Sequence, residues 1–370
     1  MKVIIAAAGT GGHINPGIAI ANEIKKHHKN AEITFIGTPR GLENDLVPRS
    51  GYKLKTIDAY GIKREISFQN LRNICKTLKS YRTTKKIVKQ ISPDIIIGTG
   101  GYICGPVLSS GVKLKIPTLL HESNAFPGIA VKVLSKKTDT VLVGFEDAKK
   151  RLPKAKNVVV TGTPTKVNKI HLNDKQKAEI KKQFKIENKL PIVAIFGGSQ
   201  GAESINKCLI EIINRKLNDK YQIIWAVGKQ KYEEVRQSIK KAYNVSIVPY
   251  IYNMEEVLNL ADLIVSRSGA MTITEVAKCG KPAIFIPYPY ATENHQEYNA
   301  KVLEQAGAAK IILDKDLSTD KLNKTINEII DDKENLKQMG QNAEKTSIKN
   351  VDEKIYREIE KLLNNAHRKN

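Results

Sequence analysis

The segment AAAGTGGHINPG, Ala6 to Gly17, sets bare backbone beside an imidazole. Gly9, Thr10, Gly11 and Gly12 can bring N–H groups close to a ligand, and a helix opening just beyond adds the positive end of its dipole. The loop therefore suits an anion. His13 is the side chain here that exchanges a proton near neutral pH. Spacing argues against three familiar sites. A dinucleotide fingerprint needs glycine where Ile14 stands, a P-loop needs Lys and Ser/Thr where Ile18 and Ala19 stand, and HESNA at His121 lacks the second histidine of HExxH. The plainer alternative is a close-packed turn that holds nothing.

Two further strand ends carry the same chemistry, GTGGYICGP from Gly98 and GGSQGA from Gly197. Three such loops in one chain favour a phosphate-bearing ligand more than one does. In SRSGAMTITEVAKCGKPAIFIPYP, from Ser266, Ser268 and Gly269 read as N-cap and close-approach glycine for a helix from Ala270 to Lys278. Its first N–H groups suit a diphosphate. Glu275 on that helix can accept both hydroxyls of a ribose diol, or be an ordinary exposed glutamate. TENHQEYNA, from Thr292, places His295, Gln296 and Asn299 at helical spacing. They could read sugar hydroxyls or form a polar surface.

The elements that must position these groups alternate. Apolar runs at Val3–Ala8, Glu32–Gly37, Lys53–Ala59, Asp94–Gly98, Pro117–His121, Thr140–Val143 and Val158–Thr161 read as strands. A second set covers Ile192–Phe196, Gln222–Val227, Ser246–Pro249, Leu263–Val265, Ala283–Ile286 and Ala309–Leu313. Amphipathic helices separate most of them, the first from Pro16 onward. The rhythm is that of βαβ units and parallel sheets, with ligands beyond the strand C-termini. LPIVAIFGGSQGAESINK, from Leu190, restarts the plan of MKVIIAAAGTGGHINPG, which predicts two α/β doubly wound domains. Their expected extents are 1–163, with a returning C-terminal helix at about 347–370, and 164–346.

Composition narrows the partners. The 370 residues are 41% hydrophobic and carry a formal charge of +23. No apolar run approaches the ~20 residues of a spanning helix. Cys75, Cys104, Cys208 and Cys279 form no CxxC pair and read as small buried hydrophobes in a reducing compartment. The charge points to nucleic acid, an anionic membrane face or phosphorylated substrates. Between Ser67 and Ser92, Phe68, Leu71, Cys75 and Leu78 recur at helical spacing beside Arg72, Lys76, Lys79, Arg82, Lys85, Lys86 and Lys89. That pattern fits an interfacial helix on anionic lipid, or an amphipathic helix packed on its own sheet. Nucleic acid is disfavoured because the chain has no zinc spacing and no RNP-like segment.

With GTGGHINPG, GTGGYICGP, HESNAFPG, FGGSQGA, SRSGAMTITE and HQEYNA in order from Gly9 to Ala300, the chain resembles the peptidoglycan N-acetylglucosaminyltransferase family commonly called MurG, which converts lipid I to lipid II. The resemblance implies a GT-B fold, two Rossmann-like domains with an interdomain cleft and UDP-GlcNAc mainly on the C-terminal one. It matches Thr10, Gly11, Gly12 and His13 to the first loop, and Tyr102 and Asn124 to acceptor-side and sugar-side positions. On the donor side it matches Ser199 and the N-terminus at Ala270, Met271 and Thr272 to phosphate contacts. Ile251 matches a uracil-edge backbone contact, Glu275 the ribose ligand, and Gln296, beside His295 and Asn299, the GlcNAc reader. One departure stands out: the family usually shows GNPVR where this chain has GTPTK, so Thr163 replaces asparagine and Lys166 replaces the donor-contacting arginine. Lysine keeps the charge and loses the planar fork.

The resemblance further implies an inverting transfer to the 4-hydroxyl of the muramyl sugar, with His13 as base or phosphate contact. No Asp-x-Asp cluster lies in a suitable loop, so no metal and no cofactor are expected. Expected partners are UDP-GlcNAc, undecaprenyl-linked lipid I, the anionic cytoplasmic face of the cell membrane and cell-wall synthesis proteins. Rival readings are a diacylglycerol glycosyltransferase, a UDP-GlcNAc 2-epimerase, and a serine hydrolase using Ser199 in GGSQG with Asp262 and His295.

Overall fold

The computed structural model describes residues 1–59, 68–186, 189–198, 200–240 and 244–368, without the side chains of 68–79 and 367. It divides into two compact units, Met1–Thr165 with Lys349–Asn370, and Lys166–Ile348. The first is built on β1 (Lys2–Ala7), β2 (Glu32–Gly37), β3 (Lys53–Thr56), β4 (Ile95–Gly100), β5 (Thr118–Glu122), β6 (Thr140–Val143) and β7 (Val158–Val160). Their order in the sheet is β3-β2-β1-β4-β5-β6-β7. The second is built on β8 (Ile192–Phe196), β9 (Gln222–Ala226), β10 (Val245–Val248), β11 (Leu263–Ser266), β12 (Ala283–Phe285) and β13 (Ala309–Ile311), in the order β10-β9-β8-β11-β12-β13. The pairings in both sheets are parallel.

Every expected strand is present. The central ones read as unbroken apolar runs because helices cover both faces. In β1 the alternation is visible in the packing. Val3, Ile5 and Ala7 face Ile14, Ile18, Ala21 and Ile24 of the helix Gly11–His27, together with Ile355 and Ile359 of the helix Val351–His367. Ile4 and Ala6 face Val88, Val107 and Leu108 on the other side. In the second unit Val193 and Ile195 of β8 pack against Ile205, Leu209 and Ile212 of the helix Glu203–Asn214.

In both sheets the strand order reverses beside the first strand of the unit, between β1 and β4 and between β8 and β11. Ligands bind such sheets at these switch points, beyond the strand C-termini. The Gly-rich loops after β1 and β4 flank one, and the loops after β8 and β11 flank the other.

One element begins earlier than its sequence suggests. The first helix starts at Gly11, not Pro16, and the Ile14 N–H donates to the Thr10 carbonyl at 3.2 Å. Two glycines do not prevent a helical turn when the strand end and Thr10 fix the backbone before it. Pro16 then sits inside the helix and is buried.

Candidate active site

In the first unit the two glycine loops lean on each other. Gly9 takes φ +95°, and the following turn exposes the N-terminus of the helix Gly11–His27, which no side chain caps and whose first turn carries no acid. Thr10 is exposed, while Gly11, Gly12 and half-buried His13 line this end. His13 Nδ1 lies 3.1 Å from the Ala8 carbonyl oxygen. A carbonyl only accepts, so Nδ1 carries the proton and Nε2 is the basic nitrogen of the neutral ring. Thr99 Oγ1 donates to the His13 carbonyl at 2.8 Å. The imidazole lies over Gly100, where an added Cβ would stand 2.2 Å from His13 Cδ2; one at Gly101 would stand 2.7 Å from the Ala8 oxygen. These glycines of GTGGY thus serve the close approach of the first loop. Cys104 ties the same strand ends, accepting from Gly100 N at 3.3 Å and donating to the Ala6 carbonyl at 3.4 Å. Burial pushes its thiol up to about 12, which keeps it neutral.

Tyr102, 38% exposed, follows directly. Asn124 is half-buried, and both its backbone N–H and its Nδ2 donate to Glu122 Oε1, at 2.8 and 2.9 Å. Burial raises the Glu122 carboxyl above its ordinary value despite these bonds and one from Gly128. His121 is wholly buried. Its Nε2 donates to the Gly162 carbonyl at 3.1 Å, and burial lowers its pKa to about 4. It braces β5 against the end of β7. Beside it Thr163 has a buried hydroxyl that no group among the described residues bonds.

In the second unit the helix Ala270–Cys279 begins after Gly269 with no side-chain cap and no acid in its first turn. The N–H groups of Ala270, Met271 and Thr272 precede its hydrogen-bond ladder and face outward from its end. Glu275 is half-buried one turn on. Ser268 does not cap this helix. Its N–H donates to Gln296 Oε1 at 3.2 Å and its hydroxyl to the Gln296 carbonyl at 2.8 Å, because the helix His295–Gln305 packs alongside. Gln296 Oε1 also accepts from Tyr288 N at 3.0 Å, which fixes the direction of its amide NH2. Asn299 departs from its expected place among hydroxyl-reading groups: it is fully buried and its Nδ2 donates to the Ser268 carbonyl at 3.2 Å. It braces the loop from beneath. His295 Nδ1 donates to the Thr292 carbonyl at 2.8 Å. Ile251 is buried between exposed Tyr250 and Tyr252, whose rings meet edge to face. Lys166 is exposed at the start of this unit. Ser199 lies outside the described residues.

The helix Phe68–Ile91 spans the expected amphipathic segment. The side chains of Phe68, Leu71, Arg72, Cys75, Lys76, Leu78 and Lys79 lie outside the described residues. In its second half Ser80, Thr84 and Val88 are buried, while Arg82, Lys86 and Lys89 are exposed and, with Lys85 and Gln90, line a groove of about 500 Å³. No helix among the described residues is long and apolar enough to cross a membrane.

Two groups at these sites escaped sequence reasoning. Glu43 is fully buried behind the first loop and accepts from Gly9 N at 3.0 Å, Thr38 N at 2.8 Å and Thr38 Oγ1 at 2.7 Å. Burial alone would raise its carboxyl, but the bonds from Gly9 and Thr38 outweigh that and hold it below its ordinary value. Arg267 lies at the loop that follows β11. It donates to Asp314 at 2.6 Å, to Ser204 Oγ at 2.9 Å and to the carbonyls of Ile286 and Pro287 at 3.0 Å each. It stands inside the quoted SRSGA motif, but its partners lie 19 to 63 residues away in the sequence.

Comparison with known proteins follows the same division. The glycosyltransferase family 28 N-terminal domain matches residues 3–143, and the C-terminal domain of that family matches residues 192–355. The "UDP-N-acetylglucosamine--N-acetylmuramyl-(pentapeptide) pyrophosphoryl-undecaprenol N-acetylglucosamine transferase" of Acetivibrio thermocellus is 43% identical over 368 residues, covering 99% of both chains. The protein of the same name from Clostridioides difficile is 42% identical, covering all of this chain and 90% of its own length. The crystal structure of Acinetobacter baumannii MurG superposes with a TM-score of 0.78 at 29% identity, over 97% of this chain and 99% of that one. With both domains matched and relatives aligned end to end, the chain belongs to glycosyltransferase family 28 and, within it, to the MurG-type N-acetylglucosamine transferases with the GT-B fold.

Proposed function

We propose that this chain transfers GlcNAc from UDP-GlcNAc to the 4-hydroxyl of the muramyl sugar of undecaprenyl-linked lipid I, giving lipid II, by a single inverting displacement that needs no metal. The reading rests on the family and, in this structure, on one observation above all: His13 Nδ1 is held by the Ala8 carbonyl at 3.1 Å, which makes Nε2 the proton-accepting nitrogen beside an uncapped helix N-terminus. As the acceptor oxygen bonds to the anomeric carbon, its proton passes to Nε2. The bond from that carbon to the diphosphate breaks, and the electron pair leaves with UDP. The developing charge meets the N–H groups of Ala270, Met271 and Thr272, which act by fixed dipoles.

In the same reading Glu275 takes the ribose hydroxyls and the oriented amide of Gln296 meets the GlcNAc hydroxyls, with His295 beside it. Asn299 acts at one remove, by holding Ser268. Ile251 offers its backbone to the uracil edge, and Ser199 and Lys166 add phosphate contacts. Lys166 supplies charge without arginine's two-pronged geometry. Tyr102 and Asn124 serve the acceptor side, with Thr10, Gly11 and Gly12 around the reacting sugar.

Lipid I is membrane-borne, so the enzyme works as a peripheral protein at the cytoplasmic face. The helix Phe68–Ile91 meets anionic lipid through its basic side, where each lysine or arginine contributes roughly 1 kcal/mol. Cell-wall synthesis proteins are further partners at that surface.

The test is UDP release from UDP-GlcNAc in EDTA, with and without a short-chain lipid I analogue. Release that requires the analogue supports metal-independent transfer. Release restored only by Mg²⁺ or Mn²⁺ overturns the metal-free reading, and donor turnover without any acceptor favours the epimerase alternative.

A further inference from the structure

The Ala8–Gly9 peptide is bonded on both sides. Its carbonyl accepts from His13 Nδ1 at 3.1 Å, and its N–H donates to Glu43 Oε2 at 3.0 Å. Imidazole, peptide and carboxylate therefore form one continuous hydrogen-bonded chain. We propose that Glu43 is a positioning residue for the reaction, acting on His13 through this single peptide group: its negative charge polarises the peptide, strengthens the carbonyl as acceptor for Nδ1–H, and makes Nε2 a better base. The assignment rests on the reading of His13 as the base.

Three observations carry it. The carboxylate is fully buried and ionised: its folded value is held below the ordinary one by N–H and O–H donors, so its charge persists at neutral pH. The site is shaped for it. An added Cβ at Gly41 would lie 2.0 Å from Glu43 Oε2, and one at Gly37 would lie 2.6 Å from its Cγ. And the loop geometry depends on it, since the Gly9 N–H it receives belongs to the residue at φ +95° that turns β1 into the first helix.

A carboxylate that only braced the loop could be replaced by any acceptor of the same shape. A charged one does more. Hydrogen bonds in a chain polarise one another, and an ionised acceptor roughly doubles the strength of the bond it receives. No proton reaches Glu43. When Nε2 takes the acceptor proton, the ring becomes imidazolium while the peptide N–H and the Nδ1–H stay where they are. The new positive charge faces the carbonyl end of a peptide whose other end meets a fixed negative charge.

Other titratable groups act elsewhere. From the β4 side the ring meets Gly100 and neutral Cys104 behind it. On the helix itself Glu23, Lys25, Lys26 and His27 lie in the last turns, with His28 just beyond its end. From the returning helix Tyr356 stacks on His27 with ring centroids 3.7 Å apart and bonds His28 Nε2 at 2.9 Å, with Glu360 accepting from its hydroxyl at 3.0 Å. At about 1.5 Å per residue that cluster is some 20 Å from His13. On the helix Glu43–Arg49, Asp45 is paired with Arg49 at 2.7 Å.

The experiment is a histidine ¹⁵N titration of the full chain, with the His13 resonances assigned from His13→Gln. In the native protein the Nδ1–H tautomer should dominate. Glu43→Gln removes the charge, so imidazolium loses support and the His13 pKa should fall by about half to one unit. The acid limb of kcat/KM should move the same way and the plateau should drop about tenfold. Thr38→Val loosens the carboxylate but keeps its charge, and should leave the His13 titration in place. An unchanged His13 titration in folded Glu43→Gln overturns the proposal, as does an equal shift in Thr38→Val. If Glu43→Gln does not fold, Glu43→Asp decides: drawing the charge back by one methylene should shift His13 in the same direction, and no shift overturns the proposal. Should the acid limb persist in His13→Gln, the base reading itself fails, whereas the titration still reports on the relay.

Discussion

The two units begin alike and end differently. Each runs a buried first strand into a glycine loop and a long helix, and each reverses its strand order beside that strand. Behind the loop after β1 and behind the loop after β11, the two that flank the switch points, the chemistry diverges. The first unit buries a carboxylate, Glu43, whose partners are neutral donors. The second sets a guanidinium, Arg267, against Asp314 and two carbonyls, with side-chain exposures of 11% and 21% for the pair. The uncapped helix ends in front of them are similar, so the groups behind tune what each end does. A negative charge suits a site that must raise a base and then stabilise its conjugate acid. A neutralised, tied-down pair suits a site that must keep several N–H groups fixed on a diphosphate. On the function proposed above, one strand–loop–helix unit would serve proton transfer in one place and anion binding in the other.

The largest effect expected is from breaking the second anchor. Arg267→Met leaves Asp314 without its cation and should cost about 3 kcal/mol. Hydrogen-exchange protection should fall in β11 and β12 while β1 and β4 keep theirs. Equal loss in both sheets would break the comparison.

A pair of alanines sharpens it further. Gly100→Ala drives a methyl into the His13 ring, and should cut turnover about a hundredfold while UDP binding, read by calorimetry, stays within a factor of about two. Gly201→Ala, whose Cβ would stand 2.1 Å from the Val227 carbonyl, should instead weaken UDP binding. Matching defects in the two variants would mean that the loops do not divide the work.

Acid should strike the first unit through His121. Its folded pKa of about 4 lies below the ordinary 6.5, so the unfolded chain binds the extra proton and stability falls as pH drops from 6.5 toward 4. Between pH 7 and 5 the loss should be about 2 kcal/mol, visible in urea melts and reduced in His121→Gln. The smallest effect belongs to the surface: Lys86→Ala should weaken partitioning onto anionic vesicles about fivefold and leave UDP binding alone.

Much of this was legible beforehand. Strands announce themselves by apolar runs, and the glycine loops by composition, so the parallel sheets and the switch points followed. The first helix starts earlier than Pro16, a strong local signal, suggests, because the Thr10 carbonyl that closes its first turn leaves no mark in the sequence. Glu43 and Arg267 were missed for a common reason. Both act on backbone groups brought near by the fold, and such partners leave no spacing in the sequence. Asn299 looked like a ligand reader because type and helical register were visible, and its burial under Ser268 was not.

The second unit is inserted within the first, whose last helix is made only after Ile348. Tyr356 reaches back across 328 residues to His28. At about 5–20 residues per second, synthesis separates those partners by some 15–65 s. Throughout that interval the nascent β1 face bearing Val3, Ile5 and Ala7 waits without Ile355 and Ile359. The second unit is synthesised whole before that helix, while the unit that carries His13 keeps part of its β1 face unfinished until the final turns emerge.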